Sequence, residues 1–348
     1  MESKSLVTTR DQSIDVARGI AIVAIVLGHV ERGLLSASLL PYDTALTLDR
    51  LLYLFHLTTF AYLSGLFVRR SVERDGPRQL VTRRVTLFVW LYLLWTLIQG
   101  TVRVAASSVA NTPVTVGDVA RIWIPEGQLW FLPWLIGVTV IAVATRPWRS
   151  RPRATLVLCL AAVLALVVWG YDPIYAFSRG WALLLPFLIG CIMGPARHAS
   201  SARSLPPVVA AAVLGTFVWL YVGLGTNATA PTTGGPGRTA ATIVWGVLGS
   251  VAGTVAALAV AALVARSPLG RLVAVVGSRS LEIFLAHIVV ASGTRIILVQ
   301  AGVTDPWVHV LAATTLGVFV PIGVAVAAKR LGWTWVFGTP RALRRLLA

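Results

Sequence analysis

Charged residues are scarce in this sequence, and acidic residues are the scarcest of them. Only 12% of the 348 residues are charged, whereas a soluble domain carries about 25%. So small a share leaves too little polar surface to cover a water-soluble globule. Because 57% of the residues are hydrophobic, we expect lipid to face much of the chain.

Cysteine is rare as well. Cys159 and Cys191 are the two cysteines, and both lie inside apolar runs, which argues against a disulfide framework or a cysteine-based metal cluster. The sequence contains no Gly-rich phosphate loop and no Gly-x-Ser-x-Gly elbow. Its intramembrane histidines lack metal-ligand spacing within any one helix. We therefore predict no metal site and no resident cofactor.

Long apolar segments are what the sequence has in abundance. A bilayer is crossed by about 20 apolar residues in a helix, and ten segments qualify. They cover roughly residues 14–30, 46–68, 80–102, 128–145, 154–170, 180–194, 206–223, 240–265, 272–299 and 307–328. We predict an all-α transmembrane bundle of about ten spans, forming one domain over residues 1–348. The first segment is expected to stay as an uncleaved span, and the ninth is expected to break at Gly277–Ser280.

The basic residues indicate the orientation of these segments. The net charge is +17, which in a soluble protein would suggest a nucleic-acid partner. Here nearly all basic clusters lie between apolar segments, and such loops face the cytoplasm in membrane proteins. If every segment spans, 23 of the 30 basic residues fall on one side. We predict that this side is cytoplasmic, with tails at 1–13 and 329–348, that the external 225–239 loop is mobile, and that no nucleic acid binds.

The first segment carries three ionisable residues, Asp15, Arg18 and His29. Such groups are unfavourable inside a membrane and usually mark function. Arg18 and His29 lie eleven positions apart, which is close to three helical turns and about 16 Å on nearly the same face. This spacing suits an elongated ligand with its charged end at Arg18. The alternative stays open that Arg18 extends to the interface and that His29 is merely interfacial.

The second segment places His56 in an apolar, aromatic stretch, where the imidazole needs a polar partner. The small pair Ser64-Gly65 follows it and would allow a helix or a ligand to approach closely. A packing role for His56 is the alternative. Trp130 opens the fourth segment, and on physical grounds alone it reads as an aromatic belt residue.

The ninth segment carries Ser280, Glu282 and His287. Ser280 and His287 share a helix face, whereas Glu282 points elsewhere and is expected to pair with Arg279 or with a basic group of another helix. A carboxylate and a histidine in one span suggest a polar pocket or proton transfer. A structural role is again the alternative.

Together these motifs resemble the acyltransferase 3 family of bacterial membrane proteins, which includes fucose 4-O-acetylase-like members. The resemblance is carried by the Ile14–His29 run, the Phe55–Phe67 stretch, Trp130-Phe131-Leu132 and the Ser280–His287 run. One departure is notable: many members have an Arg-x-x-Arg pair near the start of the third span, where this chain has adjacent Arg83 and Arg84.

The resemblance implies a plasma-membrane enzyme that moves an acyl group, most often acetyl, from cytoplasmic acyl-CoA to a hydroxyl of a sugar, polysaccharide or related acceptor. It places His29 as general acid or base, with His287 and Glu282 as further catalytic candidates. The substrate-binding candidates are Arg18, which would hold the CoA phosphates, and Asp15, His56, Ser64, Trp130, Arg83 and Arg84. The alternative is a proton-coupled secondary transporter with the histidines and Glu282 as relay groups. A membrane scaffold without catalysis is the third reading, and a membrane domain with no appended soluble domain is expected.

Overall fold

The computed structural model describes residues 12–107, 114–234 and 237–346, and these residues form helices joined by loops, without strands. Numbered in chain order, the α-helices are α1 Gln12–Ser36, α2 Tyr42–Tyr53, α3 His56–Gly65, α4 Val68–Asp75, α5 Pro77–Ala105, α6 Val116–Val119, α7 Phe131–Thr145, α8 Arg151–Val167, α9 Leu184–Ser201, α10 Leu205–Gly225, α11 Ala240–Val264, α12 Leu269–Ser278, α13 Ser280–Gln300, α14 Pro306–Arg330 and α15 Arg341–Leu346. Nine helical stretches in the described residues are long and apolar enough to cross a membrane. The all-α, multi-pass architecture predicted from the sequence is thereby confirmed.

The predicted segment 154–170 is the one that falls short of this criterion. It forms α8, which has 17 residues and rises about 26 Å, slightly less than the ~30 Å hydrocarbon core. The chain after α8 nevertheless returns to the start of α7, where the Arg179 guanidinium lies 5.6 Å from the centre of the Trp130 ring. Helix α8 therefore runs antiparallel to α7 along the bundle, as a tenth traverse would.

Helix α1 is the centre of the bundle. It packs against α2, α3, α11, α12, α13 and α14. In an apolar stretch of 18 residues, 72% of the residues of α1 are buried, whereas 28% are buried in the corresponding stretches of α10 and α14. Glycines make this central position possible. A Cβ at Gly277 of α12 would overlap the Asp15 carbonyl oxygen, and a Cβ at Gly19 would overlap that of Val273.

A second close approach joins α3 and α9. A Cβ at Gly65 would overlap the Phe187 carbonyl oxygen, and a Cβ at Gly190 would overlap the Tyr62 carbonyl oxygen. The Ser64-Gly65 pair thus brings another helix close, as its small size predicts. Beyond this contact α9 is kinked, because Gly194 adopts φ 65° directly before Pro195, whose ring cannot continue a helix.

Two long predicted segments are interrupted. The ninth breaks where expected, since α12 ends at Ser278 and α13 begins at Ser280. The second is divided into α2, α3 and α4, which places His56 at the first residue of α3. At the break between α2 and α3 the side chain of His56 is buried.

The 225–239 loop differs from the mobile external loop that its composition predicts. Ala228, Thr229, Ala230 and Thr232 are buried, and the indole nitrogen of Trp169 donates a 2.7 Å hydrogen bond to the Thr229 carbonyl oxygen. The described part of this loop therefore packs into the bundle and brings Thr232 beside α1.

Candidate active site

Two cavities open along α1, one at each end of its polar face. The wider one has a volume of about 790 Å³ and lies at the N-terminal end. Its polar lining consists of Asp15, Arg18, Ser64, Arg70 and Arg84, and we name it the basic cavity. Four of the predicted substrate-binding residues meet here, from α1, α3 and α5.

Two arginines of the basic cavity have neighbours among the described residues. The Arg18 guanidinium lies 3.8 Å from the Asp15 carboxylate and 5.2 Å from the centre of the Phe67 ring. Arg84 donates a 2.9 Å hydrogen bond to the Thr139 hydroxyl. One carboxylate thus faces three guanidinium groups in this lining, so the cavity carries a net positive charge that suits an anion.

The second cavity is narrower, about 220 Å³, and His29 and His56 both line it. We name it the histidine cavity. The remaining polar and aromatic lining comes from several elements: Arg32, Tyr53, Gln128, Trp130, Phe131, Arg179, Thr232 and Phe284. Trp130 is therefore part of a cavity wall and buried, instead of the interfacial belt residue that physical grounds alone indicate.

A third histidine, His287 of α13, completes this group. Its ring centre lies 5.2 Å from that of His29. The Nδ1 atom of His287 lies 2.9 Å from the Ile283 carbonyl oxygen and 3.0 Å from that of Phe284. Because carbonyls only accept hydrogen bonds, we assign the proton of the neutral ring to Nδ1, which leaves Nε2 as an acceptor. Nε2 has no partner among the described residues.

Unpaired polar atoms surround the histidine cavity. His56 Nδ1, Gln128 Oε1 and Thr232 Oγ1 are buried without a hydrogen-bond partner in the part of the chain that the structure describes. The Gln128 amide nitrogen is fixed, since it donates to the Phe284 carbonyl oxygen at 3.0 Å. Buried polar groups are nearly always paired in folded proteins, so this concentration points to a polar ligand.

The two arginines beside the histidine cavity are each neutralised. Arg32 donates to the Asp49 carboxylate at 2.6 Å and lies 3.8 Å from the centre of the Tyr53 ring. Arg179 is ion-paired with Asp172 and stacks on Trp130. The walls of this cavity are therefore polar but close to neutral, in contrast to the basic cavity.

Two candidate residues, Glu282 and Arg83, lie outside both cavities. Glu282 accepts a hydrogen bond from Arg279 at 3.2 Å, as the sequence suggests, and within the described residues it lines neither cavity. Arg83 is exposed and ion-paired with Asp75 at 3.1 Å, whereas the adjacent Arg84 points into the basic cavity. Consecutive helical residues are separated by 100°, which accounts for the different directions of these two arginines.

Sequence reasoning missed Arg32, Gln128, Arg179 and Thr232. Gln128 lies two residues before Trp130, and Arg32 and Arg179 are among the few basic residues on the side poor in positive charge. An isolated arginine on that side could therefore have indicated a residue of the site. Thr232 had none, because only the folded loop brings it to α1.

The model of the acyltransferase 3 family, described as an acyltransferase domain, matches residues 11–326. No curated protein and no solved structure matches the chain. The family match runs from α1 into α14 and includes every residue of both cavities. The chain therefore belongs to the acyltransferase 3 family, and it is a multi-pass membrane acyltransferase.

Proposed function

We propose that this acyltransferase moves an acetyl group from acetyl-CoA, bound at the basic cavity, to a hydroxyl of a sugar or related acceptor in the histidine cavity. The observation that carries the proposal is the arrangement along α1. Three arginines meet at one cavity and three histidines gather around the other, about three helical turns away. An elongated donor with phosphates at one end and a reactive carbonyl at the other fits this division.

The phosphate end of CoA would be held by Arg18, Arg70 and Arg84. Guanidinium groups bind phosphate through paired, charge-assisted hydrogen bonds, and the cavity of about 790 Å³ has room for a nucleotide. The pantetheine arm would then follow α1 toward His29. The positive-inside rule supports a cytoplasmic opening for this cavity, which is where CoA thioesters would be supplied.

His29 is the proposed general base. It would accept the proton of the acceptor hydroxyl while the hydroxyl oxygen attacks the thioester carbonyl. The new C–O bond forms, the C–S bond breaks, and the proton passes from His29 to the departing sulfur. His287, fixed by two backbone carbonyls beside His29, would orient its imidazole and is a positioning residue in this scheme.

A neutral, hydroxyl-rich acceptor suits the histidine cavity best. Among the described residues its two arginines are already paired with Asp49 and Asp172, so neither is left unpaired to bind an anionic group. Hydroxyls would instead satisfy the unpaired atoms of His56, Gln128 and Thr232, and a sugar ring would pack on Trp130 or Tyr53. The hydroxyl groups of such an acceptor match the unpaired polar atoms, and its ring face matches the aromatic wall.

The test is transfer of radiolabelled acetyl from acetyl-CoA in membranes that contain the protein. We expect label in a base-labile ester on glycan or lipid-linked sugar, and the His29→Ala variant at matched protein level should abolish it. Membranes without the protein serve as the control. Absence of label together with proton-driven uptake of a solute would contradict acyl transfer from CoA and support the transporter alternative.

A further inference from the structure

A third cavity lies against His29 on the side away from α3. It is small, about 60 Å³, and lies between α1, α13 and α14. Most of its wall is aliphatic, with Leu34, Ile288 and Ala291 as the relevant side chains, and Ser292 and Arg295 are its polar members. We name it the side cavity. Neither the donor's phosphates nor the acceptor occupies it in the function proposed above.

His29 is common to the side cavity and the histidine cavity. The two cavities therefore adjoin at this residue. A group in one cavity and a group in the other would meet at this ring, which is what a base needs if it takes a proton from one reactant while the other is attacked.

The size of the side cavity is selective. A volume of 60 Å³ corresponds to about two water molecules at liquid density, which leaves room for two or three non-hydrogen atoms. The wall includes the buried side chains of Leu34, Ala291 and Ala313, and Arg295 is hydrogen-bonded to the Gly33 carbonyl oxygen. Packed interiors resist the insertion of extra methylene groups.

The polar members bring hydrogen-bond donors to the wall of the side cavity. A guanidinium has five N–H donors, and the Gly33 carbonyl oxygen accepts from one nitrogen of Arg295. A donor group held beside a reacting carbonyl stabilises the negative charge that develops on its oxygen. The lining of the side cavity thus includes a small aliphatic wall, the cationic donor Arg295 and His29.

We propose that the side cavity holds the acyl group of the donor and restricts the enzyme to acetyl and comparably short chains. The inference rests on the proposed function, since it assumes a CoA thioester as donor. The thioester carbonyl would lie at His29, and the hydroxyl oxygen would attack it from the histidine cavity. The C–O bond forms as the C–S bond breaks, and the proton moves from the hydroxyl through His29 to sulfur, giving an ester and free CoA.

The experiment measures the affinities of CoA, acetyl-CoA and butyryl-CoA for the purified full chain in nanodiscs. In the parent we expect acetyl-CoA to bind at least tenfold more tightly than butyryl-CoA, because a poorly fitting methylene changes affinity by about 10- to 200-fold. Ala291→Leu fills the cavity and should weaken acetyl-CoA at least tenfold while leaving CoA unchanged. Ile288→Ala enlarges it and should bring butyryl-CoA within about threefold of acetyl-CoA.

Ile297→Ala is the matched control, since it makes the same substitution on α13 at a side chain that is 67% exposed and outside the cavity. It should keep the parent's preference. Equal binding of acetyl-CoA and butyryl-CoA by the parent would overturn the proposal, as would an unchanged preference in Ile288→Ala, which decides the matter if Ala291→Leu does not fold. Failure of CoA itself to bind would instead remove the proposed function, and the acyl pocket with it.

Discussion

The basic cavity and the histidine cavity share one helix but differ in size and charge. The basic cavity is wide, about 790 Å³, and three arginines face a single carboxylate in its lining. The histidine cavity is narrow, about 220 Å³, and each of its arginines has a carboxylate partner. The difference separates two physical tasks. The basic cavity suits the binding of a charged ligand, which needs an excess of opposite charge. The histidine cavity suits proton transfer, which needs a fixed, nearly neutral site that excludes bulk water.

The largest expected contrast between the two ends of the helix bundle is their accessibility to a reagent outside the cell. In a background without Cys159 and Cys191, single cysteines at Arg78, Arg153, Tyr171 and Ala240 should report which side each position faces. We expect an impermeant thiol reagent to label Tyr171→Cys and Ala240→Cys in intact cells and to miss the other two, because the basic loops should be cytoplasmic. Labelling at both Arg153→Cys and Tyr171→Cys would mean that α8 does not cross the membrane.

His29→Ala should have the largest effect on catalysis. Loss of a general base lowers turnover by about 10²–10⁴-fold, while the affinity for CoA itself should change little because the phosphates bind about three turns away. Steady-state kinetics and binding on the same preparation will separate the two effects. Turnover within a few-fold of the parent would remove His29 from the chemistry and make His287 the next residue to test.

Arg18→Ala should produce the opposite pattern. A charge-assisted hydrogen bond contributes about 1.5–3 kcal/mol, so acetyl-CoA affinity should fall by about 10- to 150-fold with little change in turnover at saturation. Arg83→Ala is the matched control, since Arg83 is exposed and paired with Asp75, and it should retain the parent's affinity. Equal losses in both variants would mean that positive charge in general, and no specific contact, binds the donor.

The smallest expected effect concerns the scaffold that holds both ends together. Gly277→Ala would force its Cβ against the Asp15 carbonyl oxygen, and such overpacking lowers stability by about 1–3 kcal/mol. Gly293→Ala on the neighbouring helix meets open space and should be neutral or slightly stabilising. Thermal unfolding in detergent compares the two. Equal melting temperatures would show that α1 and α12 can move apart at this contact without loss of stability.

Much of the fold could be read from the sequence, because lipid imposes strong rules. Length and hydropathy located α5, α10, α11 and α14 within a few residues, whereas α1 continues to Ser36, beyond the predicted end at residue 30. The break at Gly277–Ser280 was predicted as well. The division of the second segment at Phe55 and Phe67 was not visible, since its composition stays apolar throughout. The site was partly predictable in the same way: ionisable residues in apolar helices stand out, whereas a threonine in a loop does not.

The sequence by itself determined that the chain is a helical membrane protein with Arg18 and His29 on one face of its first span, because helical periodicity and hydropathy are local properties. Only the tertiary structure decided which neighbours these residues receive. It placed His287 against His29, directed Arg84 toward the basic cavity and Arg83 away from it, and folded Thr232 over α1. These contacts join positions far apart in the chain, and they depend on glycine-mediated helix packing and on the path of the loops, which no local pattern encodes.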